Sequence, residues 1–322
     1  MGKRFMAINL KLSSLIYPYF VQTGANKKEE IDLFPQVFRF SLNRLLEDIE
    51  KIEKLGLRRI LLFGIPEEKD LNATSGFKKG NIVALAIKEV KKNFPDLIIM
   101  SDVCLCAYTT HGHCGIISGQ GTGSRMRAVF DNKKTLQTLA KIAVSHADAG
   151  ADFVAPSAMA RQQVFAIRKA LDKNGYKKTK IMGYSAKFAS NFYGPFRNAA
   201  FSAAKFGDRS GYQLGFSDYK KALGEIVADI KEGADIVMVK PALGYLDVIT
   251  RAHLKFDKPL AAYNVSGEYA MVKAYVERIA HGARRIAEEK KLVLEILTGI
   301  KRAGADLIIT YHAKDVAKWL KE

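Results

Sequence analysis

Three joints in this chain share almost one wording: Ala149-Gly150-Ala151-Asp152, Glu232-Gly233-Ala234-Asp235 and Ala303-Gly304-Ala305-Asp306. Each follows a helical pattern and precedes a short apolar run, so one supersecondary unit is used repeatedly. The glycine supplies the positive φ that a helix C-terminus favours before a buried strand begins. Eight apolar runs fit this scheme: Leu15–Val21, Arg59–Ile65, Leu97–Cys104, Phe153–Ser157, Lys180–Ala186, Asp235–Pro241, Leu260–Gly267 and Leu307–Tyr311. They are short and almost continuously hydrophobic, as parallel strands covered on both faces must be.

Helical spacing appears between most of them. Leu45, Ile49, Ile52 and Leu55 mark one face before Gly56, and Lys134–His146, Tyr219–Lys231 and Leu292–Lys301 behave alike. Eight strands alternating with helices predict an α/β fold, a (β/α)8 TIM barrel. A doubly wound open sheet is the rival, but no G-x-G-x-x-G follows the first strand. No linker divides the chain, so residues 1–14 are read as a short N-terminal arm and 15–322 as one catalytic barrel.

Barrel enzymes carry their chemistry at the C-terminal ends of the strands. Those ends hold Asp102 and Cys104 on the third strand, Lys187 on the fifth, Lys240 on the sixth, Ser266 on the seventh and Tyr311 on the eighth. A lysine closing a buried strand is costly unless it faces a polar cavity, although a snorkelling or carboxylate-paired lysine is the plain alternative. Lys187 and Lys240 close neighbouring strands, about 5 Å apart. Like charge and burial both lower a lysine's pKa, and the neutral amine attacks ketones to form a Schiff base. The pair points to carbonyl chemistry.

All three cysteines of the chain fall in Asp102-Val-Cys104-Leu-Cys106-Ala-Tyr-Thr-Thr-His111-Gly-His113-Cys114. An odd count within eleven residues is a poor disulfide framework. Three thiolates form a soft site suited to zinc, with a fourth position left for water or substrate. His111 and His113 are candidates for supporting groups. The segment from Phe192 to Gln213 is long, polar and glycine-containing, like a mobile flap. Its Arg197 and Arg209 can hold a carboxylate, or simply lie on the surface.

Composition matters here mainly for what it excludes. No apolar run reaches the ~18 residues of a membrane span, and Met1–Ser14 lacks the apolar stretch of a signal peptide, so a cytoplasmic protein is expected. The net charge of +18 is spread along the 322 residues and forms no concentrated patch or nucleic-acid motif, so no nucleic-acid partner is expected. Such a surface is also a field that attracts small anions.

Taken together, Asp102–Gly115, Tyr184–Arg197, Gly207–Gln213, Met238–Asp247, Val265–Met271 and Ala303–Tyr311 resemble the porphobilinogen synthase family, also called 5-aminolevulinate dehydratase. The resemblance runs from about Leu15 to Leu320. It implies a homo-oligomeric barrel lyase that condenses two molecules of 5-aminolevulinate to porphobilinogen, with loss of two waters, in tetrapyrrole (haem) biosynthesis. By motif position, Lys240 would form the Schiff base with the first-bound substrate and Lys187 would serve the second, while Asp102 assists proton transfer. Cys104, Cys106 and Cys114 would be zinc ligands. Arg197, Arg209 and Gln213 would surround one substrate carboxylate, and Ser266 and Tyr311 the other. Glu225 matches a position where some members bind an allosteric magnesium, although an exposed helix glutamate is the simpler reading.

The chain departs from the family in places. Ala158-Met-Ala-Arg-Gln162 stands where the family usually has Asp-Met-Met-Asp-Gly, which removes two acidic groups near the barrel mouth. Ala107 replaces a frequent acidic residue, and Ala274–Lys291 is longer and more basic than usual. The short arm, which in the family wraps a neighbouring subunit to build octamers, would favour a hexamer or smaller assembly. Three rivals remain: an aldolase-like Schiff-base barrel with one essential lysine and no metal, a non-catalytic relative that binds zinc or a tetrapyrrole precursor, and a nucleic-acid-binding module.

Overall fold

The structure is a computed structural model that describes residues 10–120 and 128–321. Eight parallel strands run Leu15–Gln22, Arg59–Ile65, Ile98–Val103, Phe153–Pro156, Lys180–Lys187, Ile236–Lys240, Leu260–Asn264 and Leu307–Thr310. Each pairs with the next, and the eighth returns to the first through Leu15↔Ile308 and Ile16↔Ile309, which closes the barrel. The expected (β/α)8 architecture is therefore present, with strand bounds shifted by a few residues at most. Cys104 and Tyr311 lie one residue beyond their strands, and Ser266 is displaced further: the seventh strand stops at Asn264, and Ser266 opens the following helix, Ser266–Ile279.

Alternation along the strands separates two cores. Phe20, Leu61, Met100, Met182, Met238 and Ile309 point into the barrel and fill it. Leu15, Ile60, Leu62 and Ile99 point outward against the helices, where Leu45, Ile49 and Ile52 of the helix Leu42–Lys54 meet them. Helix starts are set locally: Asn81 accepts a bond from the Ala84 amide at 3.0 Å, and Asp131 one from Lys134 at 2.9 Å.

The repeated joint has a second function beyond its glycine. Gly150, Gly233 and Gly304 do take positive φ, at 101°, 104° and 115°. The aspartate that follows each one is used as well. Asp152 accepts from the Ile99 amide at 2.7 Å, Asp235 from Ile181 at 2.8 Å and Asp306 from Leu260 at 2.9 Å. Each of these aspartates also donates its own amide to the same partner's carbonyl. The motif thus stitches the foot of each strand to its predecessor and sets the register from which the catalytic ends rise.

Two elements lie outside the strand–helix repeat. Lys28–Ile31 and Phe34–Phe40 form an antiparallel hairpin, whose second strand adds in parallel beside the first barrel strand through Phe20↔Arg39 and Val21↔Phe40. Ile117–Gln120 pairs with Ala128–Phe130 after the cysteine segment. The region Ala274–Lys291 joins the end of one helix to the start of another, Gly282–Arg302. Of the proposed arm, residues 1–9 lie outside the described residues, and Leu12–Ser14 form one helical turn against the barrel foot. Among the described residues no helix is long and apolar enough to cross a membrane.

Candidate active site

Lys187 and Lys240 end adjacent strands as direct register partners, and both are buried. Their surroundings differ. Lys187 Nζ donates to the Ser157 carbonyl, at the end of the fourth strand. Lys240 Nζ sits instead among rings, 4.0 Å from the centroid of Tyr263 and 5.1 Å from those of Tyr184 and Phe196. Burial in this cage holds the Lys240 pKa well below the usual lysine range, and the Lys187 charge pushes it further down. Ring faces tolerate the cationic form without fixing it in place.

Asp102 sits beside the pair. Burial raises its pKa to about 6, against the Ser157 hydroxyl and the two lysines, which favour the anion. One carboxylate oxygen has no hydrogen-bond partner. A carboxyl that titrates near neutrality next to a low-pKa amine can pass a proton in either direction.

Cys104, Cys106 and Cys114 converge, with their sulfurs within 4.8 Å of one another and those of Cys104 and Cys106 3.5 Å apart. That separation is far beyond a bond, so all three are free thiols. Hydrogen bonds from the Cys104 and Cys106 thiols hold Cys114 well below the ordinary thiol pKa, with help from the Arg209 and Lys187 charges. A sulfur trio already organised around a thiolate suits a soft divalent cation. The histidines of the motif are not part of it. The His113 ring meets the Phe206 carbonyl at 2.9 Å and the Tyr212 hydroxyl at 3.3 Å, which ties the flap to the cysteine loop. His111 Nδ1 accepts from the His113 amide, and burial lowers the His111 pKa to about 4.

Arg197 and Arg209 lie close enough for their charges to interact. Burial lowers the Arg197 pKa and the Arg209 charge adds to the effect. Burial also opposes the Arg209 charge, but Cys114 and Cys106 outweigh it and its pKa rises. Arg209 is the more tightly held, donating to the carbonyls of Gly112 and Ser202. Gly112 is itself at φ +72°, and a Cβ there would lie 2.1 Å from the Ala203 carbonyl oxygen, so only glycine lets the flap come this close. Paired guanidiniums with spare N–H groups form a carboxylate cradle.

Gln213 is buried with neither amide atom partnered. Tyr311 shares a 3.0 Å hydroxyl–hydroxyl bond with Tyr263, the ring nearest Lys240. Ser266 Oγ donates to the Phe192 carbonyl and accepts from the Phe196 amide, each at 3.1 Å, so it ties the segment Phe192–Phe196 to the start of its own helix. Glu225 lines a cavity of about 360 Å³ together with Asp229 and Glu232, and Gln213 and Tyr184 also line it. Glu225 does not belong to either cluster of potential metal ligands among the described residues. The altered segment Ala158–Arg161 walls another cavity, of about 230 Å³, that opens against Cys114.

Ser157, Tyr184, Tyr193, Phe196 and Tyr263 surround the lysines. Tyr184, Tyr193 and Phe196 lie within the motif Tyr184–Arg197, but nothing in sequence assigns them this place, and Ser157 and Tyr263 look like ordinary strand residues. A second ligand-like cluster, Glu289, His312 and Asp315, is also invisible in sequence because it spans two helices and the turn after the eighth strand. Its cation is built in: Lys273 bonds Glu289 and lies 3.7 Å from Asp315.

Comparison with known proteins places the whole chain in one family. Residues 3–319 match the family model described as "Delta-aminolevulinic acid dehydratase". The delta-aminolevulinic acid dehydratase of Archaeoglobus fulgidus is 47% identical over 317 residues, 98% of this chain and 94% of that protein. The Synechococcus elongatus protein of the same name is 48% identical over 311 residues, 97% of this chain and 92% of its own length. Among solved structures, the Toxoplasma gondii delta-aminolevulinic acid dehydratase in complex with the reaction product porphobilinogen superposes with a TM-score of 0.90 at 39% identity. The match covers 98% of this chain and 87% of that one.

Proposed function

The chain belongs to the delta-aminolevulinic acid dehydratase family, and from that premise we propose how its own residues carry the reaction. The activity is that of a porphobilinogen synthase, a hydro-lyase that condenses two 5-aminolevulinate molecules to porphobilinogen and releases two waters. The observation that carries the residue assignment is the register pairing of Lys187 with Lys240 at the barrel mouth.

In this reading Lys240 attacks the ketone of the first substrate as a neutral amine, forming a C=N bond and losing the ketone oxygen as water. Its aromatic cage excludes bulk water and keeps the amine unprotonated. Tyr311, with the Ser266 hydroxyl, receives that substrate's carboxylate. Lys187 serves the ketone of the second substrate, whose carboxylate enters the cradle of Arg197 and Arg209, with Gln213 behind it. Asp102 takes and returns protons between the two amines. Holding both substrates makes the condensation effectively intramolecular.

Cys104, Cys106 and Cys114 would hold zinc, which supplies Lewis-acid polarisation at the second substrate when bound. Glu225 is kept as the candidate ligand of a separate, regulatory magnesium. The reading also includes a cytoplasmic homo-oligomer, a hexamer or an octamer, and light scattering would decide between them.

The test is porphobilinogen formation from 5-aminolevulinate, with borohydride trapping and peptide mapping. Borohydride reduces a lysine imine to a stable secondary amine, and the adduct is expected on Lys240. Turnover without any adduct on Lys240 or Lys187 would overturn the residue assignment. Loss of activity on thiophilic chelation, restored by zinc, supports the cysteine site.

A further inference from the structure

Arg197 rides on a helix of six residues, Gly194–Ala199, too short to hold its own place. The last carbonyls of any helix lack intrahelical donors, and a cation at that end is favourable. Here the cation is Arg39, from the hairpin beside the first barrel strand. Its buried guanidinium donates to the Ala199 carbonyl at 3.0 Å and to the Asn198 carbonyl at 3.3 Å. Glu29 stands 3.9 Å from it on the paired strand.

Just beyond the helix, Phe201 takes φ +45°, a left-handed conformation that residues other than glycine rarely adopt. Two cations hold it there. Arg39 lies over the Phe201 ring, 4.3 Å from its centroid, and Lys69 donates to the Phe201 carbonyl. Lys69 comes from the loop after the second strand, and like Arg39 it belongs to none of the motifs that mark the site. Arg209 bonds the next carbonyl, that of Ser202.

We propose that Arg39 and Lys69 are positioning residues that clamp the flap at residues 198–201 and so aim Arg197 at the substrate carboxylate. The proposal rests on the assignment of Arg197 as a carboxylate ligand. Neither clamp residue touches the reacting lysines, so its loss should weaken substrate capture and leave the chemical step alone.

The experiment compares Arg39→Gln, Arg39→Lys and Lys69→Met in the full chain, by steady-state kinetics and by chymotryptic cleavage after the exposed Phe201 without substrate. Loss of the one charge-assisted hydrogen bond of Lys69, or of the two of Arg39, should raise KM and the cleavage rate each by about tenfold or more, with kcat within about threefold of the parent. Arg39→Lys keeps the charge but not the forked geometry, so it should recover only part of the loss. Unchanged cleavage and KM in both Arg39→Gln and Lys69→Met would overturn the clamp. So would a parallel fall of kcat and thermal stability in both, which marks a merely structural role. If Arg39→Gln does not fold, Lys69→Met decides, because among the described residues the Lys69 ammonium hydrogen-bonds only the Phe201 carbonyl. If the parent makes no porphobilinogen, the functional reading fails, while the cleavage comparison still judges the clamp.

Discussion

Lys187 and Lys240 are register partners on adjacent parallel strands, yet only Lys187 has a carbonyl to bond, while Lys240 is left among aromatic rings. Two chemically identical side chains are thereby made unequal, one anchored to a carbonyl and one held in a ring cage that lowers its pKa.

Lys240→Met is expected to lower kcat by at least ~10³-fold, as loss of a covalent nucleophile does. The informative variant is Lys187→Met. Removing its charge takes away one of the causes that depress the Lys240 pKa, so that pKa should rise. The pH midpoint for borohydride trapping of a 4-oxo acid on Lys240 should move upward by about one unit. A midpoint that stays put would separate the two lysines electrostatically.

Asp102 has its pKa raised to about 6, so it is mostly ionised above that pH and protonated below it. If its carboxylate accepts protons in turnover, kcat falls as pH drops through about 6. Asp102→Asn should abolish that acidic limb and lower kcat by about 10²- to 10⁴-fold. A variant with an intact acidic limb would assign the limb to another group.

Cys114→Ala removes the sulfur that the other two thiols hydrogen-bond. With two sulfurs left, zinc affinity should fall by at least ~100-fold, read by competition with a chromogenic chelator. Circular dichroism should be unchanged, since the barrel closes through other strands. Retention of one tightly bound zinc per chain would move the metal away from this loop.

The aspartates of the repeated joint should be stabilising and independent. Asp235→Ala removes the acceptor of the Ile181 amide and is expected to cost about 1–2 kcal/mol in denaturant unfolding. Asp152→Ala stitches a different pair of strands, so the double variant should be near additive.

Lys273 and Glu289 form a buried ion pair. Lys273→Met leaves a buried carboxylate without its cation and should cost about 3–5 kcal/mol. Adding Glu289→Leu should recover much of that loss, which thermal denaturation of the two variants would show.

How much of this was legible in sequence follows from the range of the interactions. The strand–helix repeat, the reactive strand ends and the cysteine trio are carried by local pattern: period, spacing and composition within about a dozen residues. That is why the barrel, Lys187, Lys240 and Cys104, Cys106 and Cys114 could be named before any coordinates. The hairpin Lys28–Phe40 was not, because its first strand is exposed along Lys28–Glu30 and shows no buried period. Nor could spacing show that Tyr263 and Tyr184 form a cage, since each looks like core until strands that are distant in sequence meet.

The sequence by itself determined the closed repeat and the inventory of reactive groups, because burying short apolar strands between helices leaves few other solutions. Only the tertiary structure decided which lysine is caged by rings and which is tied to a carbonyl, that Asp102 lies beside them, and that Arg39 reaches the helix carrying Arg197. Those outcomes depend on distances between side chains up to 160 residues apart. Burial and Coulomb interaction act through space, and the order of residues along the chain does not record them.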